Sequence, residues 1–123
     1  MKHCLVVDDS RVVRRIARRF LENLQFSITE AEDGRMALDE CRRRMPDAIL
    51  LDRNMPNMNG VEFVRALRVE AGGDKPIVIF CTTENEMAFM VEAIESGANE
   101  YIMKPFDETV IVDKFTQVGL LER

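Results

Sequence analysis

The chain has a single histidine, no tryptophan, only three cysteines and no long apolar run. One imidazole rules out a multi-histidine metal centre. Any bound metal must be held mainly by oxygen, which favours Mg²⁺ or Mn²⁺ over zinc. Cys4, Cys41 and Cys81 are odd in number, form no CxxC pair and stand in apolar contexts. They read as reduced core residues. Nothing approaches the roughly 20 apolar residues of a membrane span. The first residues, Met1 to Val7, meet Asp8-Asp9 at once and leave no room for a signal peptide. A cytoplasmic protein without membrane association is expected. There is no Gly-rich phosphate loop, so nucleotide binding lacks its usual signature. Basic residues are scarce in the second half. Residues 1–68 carry a net charge of +2 and residues 69–123 carry −7, within a total of −5. Such acidity argues against general nucleic-acid binding.

What is present is organised around Asp47 to Gly60, DAILLDRNMPNMNG. Ala48-Ile49-Leu50-Leu51 is a short apolar run of the kind buried on both faces of a sheet. It ends on Asp52, and the following Asn, Pro and Gly residues are turn chemistry. Strands are also expected over His3–Val7, Phe26–Ala31, Ile77–Cys81 and Asn99–Met103. Helices are expected from the Ser10 cap to Leu24, over Met36–Met45, Gly60–Ala71 and Glu84–Ser96, and from Asp107 to Leu121. In the first helix Val12, Ile16, Phe20 and Leu24, with Val13, Ala17 and Leu21, form the apolar side. Arg11, Arg14, Arg15, Arg18 and Arg19 form a solvated or docking face. In the fourth, Val91 and Ile94 are expected inward and Met90 toward solvent, with Phe89 left open between the two. Five strands alternating with five helices argue for an α/β fold, a parallel sheet covered on both faces. One domain without an output domain is expected.

The strand C-termini carry the chemistry. The first ends on Asp8 and Asp9, the third on Asp52, the fourth on Thr82 and the fifth on Lys104. In open α/β sheets this edge is where ligands bind. Clustered carboxylates repel one another unless a cation joins them. Mg²⁺ accepts carboxylate, carbonyl and water oxygens and commonly a phosphoryl group. Lys104 offers a point charge to that group and Thr82 a hydroxyl. An Asp can then attack phosphorus and form an acyl phosphate.

These features together resemble the receiver domain of two-component response regulators, in the stand-alone, CheY-like format. The likeness rests on Asp8-Asp9, on LLDRNMPNMNG around Asp52, on the strand ending at Thr82, on Gly97-Ala98 and on Lys104-Pro105-Phe106. It implies a flavodoxin-like, doubly wound five-stranded sheet of order 2-1-3-4-5. It implies that Asp52 is the phosphoacceptor, and that Asp9, Asp52 and the Asn54 carbonyl hold Mg²⁺ with help from Asp8. Lys104 would contact the phosphoryl group, and Lys104-Pro105 would be cis. Thr82 and Tyr101 would be the switch pair, and Asn54 and Glu84 would tune phosphoryl lifetime toward rapid hydrolysis. The donor would be a phosphohistidine on a sensor histidine kinase or phosphotransfer protein. A downstream protein effector would bind the face of the fourth helix, fifth strand and fifth helix, with Met90 and Tyr101 as anchors. A monomer is expected, and dimerisation through the acidic face on activation stays open.

Arg53, a cation at the site rim, and Thr83, a branched residue where a small one is common, depart from the family pattern. Two other classes remain beside this one. A haloacid-dehalogenase-type phosphatase would want a second acid where Asn54 stands. A binding module that works without phosphorylation, or a phosphoryl relay or sink, would use the same fold differently.

Overall fold

The computed structural model describes residues 1–83 and 87–122. Five strands and five helices alternate. They are β1 (His3–Val7), α1 (Arg11–Asn23), β2 (Ser27–Ala31), α2 (Gly34–Arg43), β3 (Ala48–Asp52), α3 (Gly60–Arg68), β4 (Ile77–Thr82), α4 (Met87–Ser96), β5 (Glu100–Met103) and α5 (Glu108–Gln117). The sheet is parallel throughout, in the order β2-β1-β3-β4-β5. The expected order and class are therefore observed.

Alternation along the strands divides the core in two. Leu5, Val7, Ile49, Leu51, Val78 and Phe80 face α2, α3 and α4. Cys4, Val6, Ala48, Leu50, Ile79, Cys81 and Ile102 face α1 and α5. Both faces are covered, which is why the central strands read as continuous apolar runs. The three cysteines are buried thiols, each pushed up to about 12 chiefly by burial.

Side chains cap the helices and set their starts. The Ser10 hydroxyl accepts from the Val13 amide, and Asp33 accepts from Met36. Asp107 accepts from Val110, and Asn59 and Glu62 form a reciprocal capping box. Each cap satisfies an amide that has no partner inside the helix.

Two helices present faces other than those expected. In α1, Val12 is 67% exposed and Ile16 43% exposed, whereas Arg14 is buried beside Ala17 and Leu21. Arg14 goes inward because Glu30 on the edge strand β2 and the Asp8 carbonyl both accept from it. A buried guanidinium is tolerated when it is paired in this way. In α4, Phe89, Ala93 and Ser96 are the buried positions, while Met87, Val91 and Ile94 are exposed and Met90 is half-buried. The apolar character of this helix runs around most of its circumference, so periodicity could not choose the inward side. The Phe89 ring settles it by packing edge-on against Phe80, 5.5 Å between centroids.

Candidate functional site at the strand C-termini

Three carboxylates meet where β1 and β3 end. Asp8, Asp9 and Asp52 each offer an oxygen, and these oxygens all lie within 4.8 Å of one another. Adjacent strands explain the meeting: Val7 is paired with Leu51 in the parallel register, so the next residues on both strands emerge together. Asp8 is buried, Asp9 is exposed, and the Asp52 side chain keeps 12% of its surface open. The site is thus a half-enclosed mouth.

Lys104 closes it from the far side. Its Nζ donates to Asp8 Oδ2 at 2.7 Å and to Asp52 Oδ1 at 3.2 Å. The Lys104 amide donates to the Thr82 carbonyl, which places the lysine just past the ends of β4 and β5. The Lys104-Pro105 peptide is cis, as the family resemblance implies. Burial raises the Asp52 carboxyl above the ordinary carboxylate range, and the neighbouring Asp8 charge adds to this, against the opposing pull of Lys104. Burial opposes the Lys104 ammonium. The hydrogen bond to Asp8 and the charges of Asp52 and Asp8 outweigh it and hold the lysine above its usual value. The three groups are therefore one coupled cluster, stabilised by its single ammonium.

The loop after Asp52 is pinned at both ends. Gly60 donates to the Arg53 carbonyl at 2.9 Å. A Cβ on Gly60 would lie 2.5 Å from the Asp52 carbonyl and 2.7 Å from the Phe80 ring, so only glycine fits there. Asn57, at a φ of 67°, donates to Asp33 at 2.7 Å, and Gly34 donates to the Met58 carbonyl. The N-terminus of α2 thus anchors the loop that carries the site.

The other residues implied by the resemblance are distributed as follows. Asn54 is exposed in the loop after β3 and lines a polar cavity of about 430 Å³ with Arg53, Asn59, Glu62, Arg65 and Glu92. Thr82 is buried at the end of β4, two strands from β1 and next to Cys81, which pairs with Asp52. Tyr101 is half-buried on β5 against the core, with Lys114 Nζ 5.6 Å from its ring centroid. Glu84 lies outside the described residues. Thr83 is exposed and lines an apolar cavity of about 300 Å³ with Val13, Ile16, Pro105 and Phe106. Arg53 is only partly exposed. Its guanidinium lies over the Phe89 ring and reaches toward Glu92.

The oxygen-only cluster suits a hard divalent cation, Mg²⁺ or Mn²⁺, by its chemistry and spacing. Sequence reasoning missed Arg14 as a neighbour of this site. The only signal was an arginine five positions after an acidic pair, facing a strand that carries a glutamate.

The model of the response regulator receiver domain matches residues 4–116. The chain belongs to that family. It is 36% identical over 119 residues to Protein CcdB of Bacillus subtilis, covering 96% of this chain and 98% of that one. It is 42% identical over 102 residues to Response regulator MprA of Mycolicibacterium vanbaalenii, covering 83% of this chain. It spans only 43% of that longer relative. Among solved structures, the chemotaxis protein CheY4 of Vibrio cholerae superposes with a TM-score of 0.92 at 31% identity, covering 96% of this chain and 98% of that one. Among the described residues, no helix of this receiver domain is long and apolar enough to cross a membrane.

Proposed function

We propose that this receiver domain accepts a phosphoryl group from a phosphohistidine onto Asp52 and passes the signal to a protein partner. The observation that carries this reading is Lys104 Nζ bridging Asp8 and Asp52 beside Asp9. Asp52 is the one member of the acidic cluster that ends the central strand β3 and keeps contact with both the mouth and the lysine.

A carboxylate oxygen of Asp52 attacks phosphorus as the P–N bond to the donor imidazole breaks. The imidazole, protonated on its other nitrogen, leaves neutral. Asp8, Asp9 and Asp52 would hold Mg²⁺, with the Asn54 carbonyl as a further ligand. Bound there, the ion would supply positive charge to offset that building on the phosphoryl oxygens. Lys104 is free to exchange part of its bond to Asp52 for one to the incoming phosphoryl group, since it already spans the two carboxylates. Positioning and charge neutralisation are the whole contribution of the protein to such a transfer.

Thr82 and Tyr101 would carry the change outward. Both lie on β4 and β5, and the register pairs Thr82 with Met103 and Phe80 with Tyr101. A switch here biases two existing arrangements of α4, β5 and α5. The exposed apolar residues on that side are Met87, Val91 and Ile94, so these replace Met90 as the proposed anchors for an effector. A sensor histidine kinase or phosphotransfer protein would be the donor.

The test is intact mass after incubation with acetyl phosphate, with Mg²⁺ or with EDTA, for the wild type and Asp52→Ala. One Mg²⁺-dependent phosphoryl adduct, absent from the variant, is expected. An adduct that persists in Asp52→Ala would overturn the assignment of the acceptor.

A further inference from the structure

Five arginines line α1, and only Arg14 is buried. Its contacts are specific. Nη1 donates to the Asp8 carbonyl at 2.7 Å, and Nε donates to Glu30 Oε1 at 2.9 Å. Glu30 is held in turn by Arg18 Nε on its other oxygen at 2.8 Å. Burial works against the Glu30 carboxylate, but the Arg18 and Arg14 hydrogen bonds outweigh it and keep the group below its ordinary value. The pair is therefore a fixed charged unit between α1 and β2.

The carbonyl that Arg14 grips belongs to the peptide joining Asp8 to Asp9. On the other side, the Asp8 amide donates to the Ala31 carbonyl of β2 at 3.1 Å. The Asp8 side chain is held as well, by the Ser10 amide at 2.8 Å and by Lys104. Among the described residues no hydrogen bond or ion pair holds the Asp9 carboxylate. The direction of its Cα–Cβ bond, from which the carboxylate starts, follows the backbone and so the plane of the peptide that Arg14 holds.

We propose that Arg14 is a positioning residue for the divalent-cation site, orienting the Asp8-Asp9 peptide so that the Asp9 carboxylate converges with Asp8 and Asp52. The proposal rests on the metal-dependent reading above. It gives one of the α1 arginines a task that a solvated face does not have. Groups that orient metal ligands typically contribute 10- to 100-fold in metal affinity.

The experiment measures Mg²⁺ affinity by calorimetry on the unphosphorylated protein, with no phosphoryl transfer involved. Arg14→Met should weaken binding by about ten-fold. Arg14→Lys should recover part of the loss, since an ammonium can reach the carbonyl or Glu30 but cannot serve both. Arg18→Met is the matched control. It removes the same length of side chain and the same charge from Glu30, yet never touches Asp8, and should leave Mg²⁺ affinity within about two-fold of the wild type, well below the range for orienting groups. Wild-type affinity in Arg14→Met overturns the proposal, and so does an equal loss in the Arg14 and Arg18 variants, which would mean only looser packing. If Arg14→Met fails to fold, Arg14→Lys decides, and an unchanged affinity there is equally fatal. A wild-type protein that binds no Mg²⁺ overturns the metal-dependent reading itself, an outcome distinct from the others.

Discussion

The guanidinium of Arg53 lies 4.0 Å from the centroid of the Phe89 ring. The residue after Asp52 thus rests on the buried anchor of α4, and its Nη2 stands 3.8 Å from Glu92 Oε1 on the same helix. Phe89 is in turn edge-on to Phe80 of β4. The ring is therefore enclosed by the sheet on one side and the cation on the other.

Truncating this ring should be costly. Phe89→Ala is expected to destabilise the domain by roughly 3–5 kcal/mol, the usual range for a core aromatic. Arg53→Gln should cost only about 0.5–2 kcal/mol, the range of a partly desolvated cation–π contact. Denaturant unfolding of both variants measures this. A Phe89→Ala loss no larger than that of Arg53→Gln would contradict burial of the ring.

Asp52 should weaken the fold that holds it. Its carboxyl is raised by burial and by Asp8. A raised carboxyl favours the folded state only when protonated. That advantage is full below the ordinary carboxylate range and is lost as pH rises through the folded value. At neutral pH the ionised group is a burden, so Asp52→Asn should melt at a higher temperature than the wild type in EDTA. Thermal melts at neutral pH check it, and a lower melting temperature in the variant would contradict the sign.

His3 provides the opposite case in a cleaner pH window. Both ring nitrogens are engaged: Nδ1 meets the Ser27 hydroxyl at 2.7 Å and Nε2 the Thr29 hydroxyl at 2.8 Å. Burial lowers the imidazole below 6.5, and the Arg44 charge adds to this. Its contribution to stability is full above 6.5 and is lost as pH falls through the lower folded value. Because the chain has one histidine, a single imidazole resonance in an NMR titration reports the group directly. A midpoint below 6.5 is expected. The stability advantage of the wild type over His3→Gln should shrink between about pH 7 and pH 5.

The outer side of α4 should be separable from the chemistry. Val91 is 47% exposed and Ile94 50% exposed. The double variant Val91→Lys/Ile94→Lys should change stability by no more than about 0.5 kcal/mol per site, as surface substitutions do. It should form the phosphoryl adduct at the wild-type rate and lose effector binding. Slower adduct formation would mean that this surface reaches the site.

The architecture was readable because the central strands are apolar on both faces and end on polar residues. Asp8, Asp52, Thr82 and Lys104 fall at strand ends whichever way the helices turn. Helix faces were harder. Arg14 looks like a surface residue by composition, and only the placement of Glu30 on the neighbouring strand makes its burial tolerable. In α4, Phe89, Met90, Val91 and Ile94 spread over more than half of the circumference and leave Glu92 and Glu95 only a narrow polar strip, so the pattern does not choose which apolar side turns inward. The choice depends on the space beneath Phe80 and on the cation of Arg53, neither of which is local in sequence. Both errors are of the same kind: a partner far along the chain decided what periodicity left open.

Lys104 and Asp8 are 96 positions apart in the chain, and Asp52 lies 52 positions before Lys104. The acidic pair follows the first strand of the sheet, and its counter-charge follows the last. A nascent chain, or one that has lost β5, holds the carboxylates without the ammonium that joins them. Assembly of the charged cluster is thereby tied to completion of the sheet, because its last member arrives only with the end of β5.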